Sequence, residues 1–532
     1  MKKLPPSIFN DVIGPVMRGA SSSHVAGASR IGTLVRQSLS SSAAKILVEF
    51  DVNGSLAETH KGHGTDMGFV SGIMGIDMTD PAMLDAERLA KEAGIEVEFR
   101  VLDYGAEHPN HFRITATGKN GDTHRWEALS VGGGMIEMIK FDGFNVRIEG
   151  DFYELLITLE TPNSGALLNT IKKFSPPPEF ADVKHVNAGN EENGKTFAAL
   201  KFAAKPQPEI IEALKSLPGI LSIVYLEPIL PTLSRASCAV PFRTPDQLEA
   251  LAKTAPRQTC QTWEFAALYE AARGNTTQGD VFEKMREIIT IMEKAIAEGL
   301  RGVEYKDRIL GPQAFKIDES AKQGRLVPCD TLNTTIKFIT ALMEAKSAMG
   351  VIVAAPTAGA CGCLPGTILG VGKTLGLSQD ECVKGMLAAG IVGVFIAELA
   401  TFAAEVAGCQ VECGAGSGMA AAGITQMMGG SVQQCLDAAS IALQNITGLA
   451  CDPVANRVEV PCLGKNIMGG ANAIASANMA LAGYDKVIPL EQTISAMYDI
   501  GLSLPKELRC TFGGLGKTKA SLEIRERLEK GL

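Results

Sequence analysis

Seven histidines and twelve cysteines divide this chain between them. Every histidine (24, 60, 63, 108, 111, 124 and 185) precedes residue 186, and every cysteine lies at or beyond Cys238. Histidine is the side chain whose ordinary pKa suits proton transfer at neutral pH. Thiolates hold metals and iron–sulfur groups. The two chemistries therefore sit on two parts of one polypeptide. His24 closes the hydroxyl run Ser21-Ser22-Ser23-His24 ahead of an apparent helix. Several hydroxyls at a helix start bind a carboxylate, although one of them also serves as an N-cap. His63 stands between Gly62 and Gly64, a place with no packing role. His108, followed by Pro109-Asn110, falls in a loop between strands. His60, His124 and His185 read as solvated surface residues, and His111 is open to either reading.

Among the thiols, Cys382 and Cys435 lie inside apolar helical runs, where cysteine acts as a small hydrophobe. Cys409 follows Gly408 at a helix end, Cys451 precedes Asp452-Pro453, and Cys462 follows Pro461. Gly and Pro neighbours hold thiols in loops where backbone N–H groups reach sulfur, as iron–sulfur sites require. No C-x₂-C run or zinc-type pair occurs, so spacing alone does not fix a ligand set. Cys361, Cys363 and Cys413 compete for the role, and the region has no histidine to contribute. Residues 367–374 and 511–518 approach a P-loop but carry Thr where its first Gly is required.

The elements that position these groups fall into about three domains at ~100–200 residues each. Residues 1–150 read as an α+β domain, with strands at 45–52, 96–102, 112–117 and 145–150 and helices at 26–40 and 67–74. Residues 151–230 follow the order β-α-β-β-α-β, the ferredoxin-like arrangement. That unit resembles an ACT domain, a module that commonly binds amino acids, with Thr161-Pro162-Asn163-Ser164-Gly165 at the usual turn. Residues 231–260 form a proline-bearing linker with a short helix at 247–254. Residues 261–532 read as an almost all-helical, deeply buried domain. Its helices include 280–298, 382–407 and 431–446.

Formal charge is −9, from 50 Lys+Arg against 59 Asp+Glu, which excludes a nucleic-acid partner of the ordinary basic kind. Two early lysines are followed by Pro5, Pro6 and Asp11 rather than an apolar signal core. The charge-free stretches 347–372, 413–436 and 466–484 are broken by Pro, Gly, Gln and Asn, so no membrane span is expected. A cytoplasmic protein with reduced or metal-bound thiols is the expectation.

Several motifs occur in order along the chain. They are Ile13-Gly14-Pro15 with Ser21-Ser22-Ser23-His24, and Gly62-His63-Gly64-Thr65-Asp66. Further on come Ala355-Pro356-Thr357-Ala358-Gly359, Gly408-Cys409-Gln410-x-Glu412, Cys451-Asp452-Pro453-Val454 and Val460-Pro461-Cys462-x-x-Lys465-Asn466. Together they resemble the iron–sulfur L-serine dehydratases, in a fused form with the β part first and the α part second. The serine loop departs from that pattern at Ala20 and Val25, and Ala455-Asn456-Arg457 replaces a more apolar run.

The resemblance implies deamination of L-serine to pyruvate and ammonia with a [4Fe–4S] cluster and no pyridoxal phosphate. The matching cluster ligands are Cys409, Cys451 and Cys462, with Cys510 as a possible fourth. Three thiolates on four irons leave one iron as a Lewis acid for the β-hydroxyl. The base must then come from the histidine-bearing part: His63 first, His108 second. Ser21, Ser22, Ser23 and His24, with Thr357, Gly359 and Asn466, are the implied substrate-binding residues. The site would lie between the two parts of a homodimer-forming chain. Two rival readings are an iron–sulfur hydro-lyase acting on threonine or another hydroxy acid, and a non-catalytic amino-acid sensor.

Overall fold

Alternating apolar residues lead the histidine-bearing part to a sheet. Ile46, Val48 and Phe50 share one face of the strand Ala43–Asp51, and Phe112, Ile114 and Ala116 do the same in His111–Gly118. The computed structural model describes residues 4–160, 163–186, 194–254 and 256–530. Its largest sheet has six strands, in the order Glu96–Leu102, Ala43–Asp51, His111–Gly118, Thr123–Gly132, Met135–Phe141, Phe144–Ile148. Only the first pairing is parallel. Helices Gly27–Ser38 and Thr65–Met74 pack on its apolar face through Ile31, Leu34, Val35, Phe69 and Ile73. They cross at backbone contact. A Cβ at Gly72 would lie 2.1 Å from the Ser29 carbonyl oxygen, and one at Gly32 2.3 Å from that of Phe69.

The crossing positions the catalytic candidates, because His24 immediately precedes one helix and His63 the other. Gly72→Ala is therefore expected to destabilise the chain by about 2–3 kcal/mol, by forcing the helices apart. Urea unfolding of the full chain measures it.

From Tyr153 to Leu226 the elements run strand, helix, strand, strand, helix, strand. The strands form an antiparallel sheet in the order Ile220–Leu226, Tyr153–Glu160, Lys195–Phe202, Phe180–Val186. Helices Ser164–Ile171 and Pro208–Lys215 cover one face through Leu167, Ile171, Ile210 and Leu214. The other face carries Phe197, which stacks on Phe144 at 4.6 Å and joins the two sheets in one core. Thr161-Pro162 of the expected turn and the polar turn before Lys195 lie outside the described residues.

The cysteine-bearing part is helical, and it takes in the start of the chain. Ile8, Phe9, Val12 and Ile13 are buried in the helical core, where a Cβ on Gly393 would lie 2.1 Å from a Val12 methyl. Val16–Arg18 pairs antiparallel with Val351–Val353. The stretch 231–260 carries the helix Pro245–Ala252, and its Phe242 and Leu248 are buried.

The helix expected at 382–407 is divided into Gln379–Leu399 and Ala404–Ala407. Between them Thr401 turns the chain against the first sheet, its hydroxyl donating to the Val131 carbonyl at 3.5 Å. Gln379–Leu399 is long and apolar enough to cross a membrane, and most of it is buried inside the fold.

Candidate active site

Sharp backbone turns gather the thiols. Gly408 has φ +77°, and a Cβ there would meet the Leu504 side chain at 2.7 Å and the Leu449 carbonyl at 2.8 Å. Glycine alone suits that place, and it aims Cys409 inward. Cys451 is extended and paired with the segment around Arg509: its N–H donates to the Leu508 carbonyl at 2.8 Å, and the Cys510 N–H donates to the Cys451 carbonyl at 2.9 Å. Cys413 and Cys462 each open a helix, Cys413–Met427 and Cys462–Leu481.

Cys409 Sγ, a Glu412 carboxylate oxygen and Cys451 Sγ all lie within 4.8 Å of one another. The Cys413 and Cys451 thiols hydrogen-bond to Cys409 and hold it well below the usual thiol range, against burial. Cys451 in turn meets Cys510. Its bonds to Cys409 and Cys510, together with burial, push Cys451 well up, and burial next to the Cys409 charge takes Cys462 up to about 12. The arrangement stabilises one thiolate at the centre of a buried thiol group.

Polar residues bind this group to the fold. Lys465 Nζ donates to the Ala450 carbonyl at 2.6 Å and to Asp452 Oδ1 at 2.8 Å. Although burial opposes it, the neighbouring thiols and Asp452 hold its ammonium above the ordinary lysine value. The Asn466 amide donates to the Gly359 carbonyl at 2.9 Å and to Cys413 Sγ at 3.5 Å, and it accepts the Cys363 N–H at 2.8 Å. Thr357 Oγ1 donates to Glu412 Oε1 at 2.8 Å. Burial and the Cys409 charge raise the Glu412 carboxyl well above its usual range.

Across the domain boundary, Ser22 Oγ accepts the Ala358 N–H at 3.2 Å. His24 is engaged at both ring nitrogens, with Ser21 Oγ 2.9 Å from Nδ1 and Thr59 Oγ1 2.8 Å from Nε2. Glu405 Oε1 lies 3.7 Å from His24 Nδ1. Glu405 also lies against Ser23 and Asn110 and feels the Cys409 charge, so it connects histidines and thiols. The His63 ring meets that of His24 edge-on at 4.6 Å and 71°. His63 is 1% exposed, yet both of its ring nitrogens lack a hydrogen-bond partner among the described residues. A buried imidazole left without partners is costly unless a ligand completes it.

The family follows from sequence comparison. The family described as serine dehydratase alpha chain matches residues 245–515, more than half of the chain. The chain belongs to the serine dehydratase family. Its beta-chain counterpart matches residues 8–99.

The chain is 38% identical over 256 residues to a probable L-serine dehydratase alpha chain of Bacillus subtilis (strain 168), covering 48% of this chain and 85% of that one. The beta chain of the same organism is 34% identical over 223 residues, 41% of this chain and 97% of that one. L-serine dehydratase TdcG of Escherichia coli (strain K12) is 25% identical over 532 residues, spanning 95% of this chain and 97% of its own. Both parts of a serine dehydratase are thus present in one polypeptide.

In this serine dehydratase family member the donor set fits an iron–sulfur group. Cys409, Cys413, Cys451, Cys462 and Cys510 converge from four segments and are all buried; Glu405 stands between Cys409 and His24, and the Cys510 carbonyl accepts from Ser55 Oγ at 3.0 Å. Cys363 and Cys361 turn elsewhere, toward the Cys413 carbonyl and Met343, and burial holds each near 12.

His108 is half-buried and its Nδ1 accepts the Asn110 N–H at 3.1 Å. Among the described residues no contact joins it to His24 or His63. His60 and His124, expected at the surface, have side chains only 13% and 12% exposed and pair with Asp66 at 2.7 Å and Asp142 at 2.8 Å. Aromatic neighbours, Phe50 for one and Phe141 for the other, enclose them. His111 is held between Tyr104 and Glu127, and the His185 side chain lies outside the described residues.

Glu405, Glu412 as a contact residue, and Lys346 are the participants that sequence reasoning missed. For Glu405 and Glu412 the signal was isolation, each being a lone charge in an apolar run, whereas Lys346 follows Glu344 closely and gave none.

Burial sets the acid–base state of the histidines. It lowers His24 to about 3, and it drives His63 well below the ordinary 6.5 with help from His24, Arg457 and Lys346. As pH falls through 6.5 the unfolded chain takes up protons that these folded imidazoles refuse. The His24 contribution to stability is full above pH 6.5 and is lost at about 1.4 kcal/mol per pH unit toward pH 3, and that of His63 falls in the same direction. Between pH 7.5 and 5.5 the native chain should lose about 1.4 kcal/mol more than His24→Asn, measured by urea unfolding.

Proposed function

We propose that this chain is an L-serine ammonia-lyase that forms pyruvate and ammonia, with Cys409, Cys451 and Cys462 holding a [4Fe–4S] cluster and Cys510 available as a fourth ligand. The observation that carries the reading is the joining, through Glu405 and His24, of a buried thiol group to the His63 imidazole, whose two ring nitrogens have no hydrogen-bond partner among the described residues. Lewis acidity toward a departing β-hydroxyl is what such a cluster supplies when bound.

Ser22, Ser23, Thr357, Gly359 and Asn466 line the boundary and bind the substrate's carboxylate and amino groups. A His63 ring nitrogen, neutral because of its burial, takes the α-proton. His24, bonded at both nitrogens, fixes the orientation of that ring rather than accepting the proton itself. Loss of the α-proton and the β-hydroxyl leaves aminoacrylate. Its imine tautomer adds water and releases ammonia as pyruvate forms. His108 is the second candidate for the base.

Lys346 donates to the Val458 carbonyl and Lys465 to Ala450 and Asp452, so both buried lysines near the centre are engaged, which supports a mechanism without pyridoxal phosphate. We read 1–150, 151–230 and 261–532 as the domains, joined by the linker 231–260, with the apolar start of the chain from Ile8 to Ile13 packed into the helical one. The strand order of 151–230 supports an ACT-type ferredoxin-like unit. A cytoplasmic homodimer completes the proposal.

The test is turnover by anaerobically purified protein. L-serine should yield pyruvate at a kcat/KM well above that for L-threonine, read as 2-oxobutyrate. Preference for threonine would move the substrate assignment, and inertness toward both would support the sensor reading.

A further inference from the structure

The turn between Cys451 and Cys462 is strained, and its strain presents an arginine. Ala455 and Asn456 are both left-handed, with φ 52° and 51°, a backbone state costly for residues with a side chain. They are pinned there, the Ala455 N–H donating to Ser521 Oγ at 2.9 Å and Asn456 Nδ2 to the Glu58 carbonyl at 3.3 Å. The next residue, Arg457, lies on the backbone beside the proposed base. A Cβ at Gly62 would stand 2.6 Å from Arg457 Nη1 and 2.8 Å from the Asn456 carbonyl oxygen. The guanidinium thus stands beside the segment that carries His63.

A cavity of about 380 Å³ opens at the same place, lined by Lys61, Gly62, Asp307, Arg457, Arg525 and Glu529 among others. At ~30 Å³ per water, it holds a small amino acid with solvent to spare. Arg525 pairs along its own helix with Glu529 at 2.9 Å, and its Nη1 lies 4.0 Å from a Glu58 oxygen. Arg457 Nη1 donates to the Ala455 and Asn456 carbonyls at 3.4 and 3.2 Å, which leaves its Nε–Nη2 edge for a carboxylate. Its Nε and Nη2 both donate to one oxygen of Asp307, at 3.1 and 2.7 Å, and Asp307 is 47% exposed. A carboxylate offering two oxygens would make the forked pair that Asp307 does not.

We propose that Arg457 is a carboxylate-binding subsite at the mouth of the active site, taking the α-carboxylate of an incoming amino acid in exchange for Asp307. This rests on the reading of the centre as an amino-acid lyase. A two-point pair with a guanidinium is worth about tenfold in affinity, and lysine reproduces only part of it.

Steady-state kinetics of the anaerobic full chain test the proposal. Arg457→Gln should raise KM for L-serine about tenfold while kcat changes less than about twofold, with Arg457→Lys between it and the native chain. Asp307→Asn, which frees Arg457, should leave KM unchanged or lower it. Glycine should inhibit Arg457→Gln about tenfold more weakly than the native chain. Ethanolamine, which lacks a carboxylate, should inhibit both alike.

Three outcomes would overturn the proposal: an unchanged KM in Arg457→Gln, equal KM increases in Arg457→Gln and Asp307→Asn, or a loss confined to kcat. Equal increases would identify the ion pair as a clamp between segments. If Arg457→Gln does not fold, the Lys and Asn variants still decide. If the native chain is inert toward L-serine, the lyase reading fails by itself. Calorimetric binding of glycine to the native chain and Arg457→Lys then reads the subsite independently.

Discussion

Replacing His63 with alanine should lower kcat for L-serine by about 10³-fold while the iron–sulfur absorbance of the protein stays intact. The size follows from what the side chain is asked to do. The α-proton of serine is weakly acidic, and a positioned general base commonly contributes 10²–10⁴-fold. His63 is the described histidine that combines near-complete burial with two unpartnered ring nitrogens, so it is the one with a lone pair free for substrate.

The accompanying variants separate roles. His24→Asn should reduce turnover less, because His24 acts on the ring of His63 and keeps its own nitrogens on Ser21 and Thr59. His108→Ala should change kcat less than about threefold if His63 is the base. A native-like rate in His63→Ala with a large loss in His108→Ala would exchange the two assignments. In the native enzyme the depressed pKa of His63 places the acid limb of kcat/KM below pH 6.5, since the imidazole stays neutral, and competent as a base, to lower pH.

Cys451→Ala should abolish both bound iron and turnover. Cys451 is the residue in contact with Cys409 on one side and Cys510 on the other, so its removal divides the thiol group. Cys435→Ala is the control. That thiol is buried in the helix Val432–Gln444, its pKa pushed up to about 12 by burial, and it should retain full iron content. Iron assay and visible absorbance on anaerobically prepared protein, with circular dichroism to confirm folding, measure both. Full iron content in Cys451→Ala would remove it from the ligand set. Cys510→Ala should keep most of the iron, because Cys409, Cys451 and Cys462 remain.

Much of this site was legible in the sequence because its residues stand in unusual local settings. Gly on both sides of His63, Gly before Cys409 and Pro before Cys462 are placements that core packing does not explain. The strands Glu96–Leu102 and Tyr153–Glu160 follow their residue patterns to the end. What was hidden depends on contacts distant in sequence. The hairpin of Thr123–Gly132 and Met135–Phe141 has no counterpart among the strands read from the residue pattern, because its strands are mixed in polarity and gain their identity from neighbours.

Cys413 could not be ranked above Cys361 or Cys363 by spacing. Its placement comes from the helix it opens and from the Asn466 amide. The break after Leu399 is absent from the apolar periodicity, since it is imposed by the sheet domain at Val131. His60 and His124 were misplaced at the surface because the aromatic rings and carboxylates that enclose them are remote in sequence, apart from Asp66. Assigning the start of the chain to the sheet domain overlooked Ile8, Val12 and Ile13, whose apolar run is completed by glycines in the helix Gln379–Leu399.

The central claim is that the buried thiols hold the group on which serine turnover depends, beside a histidine base. The most direct measurement is iron content against pyruvate formation in one anaerobic preparation, titrated from fully loaded to chelator-stripped. The expected result is about four irons per chain at full loading, by the composition of the proposed cluster, with a rate that falls in proportion to iron and returns on reconstitution with iron and sulfide. Iron-free protein that converts L-serine to pyruvate at the full rate would contradict it.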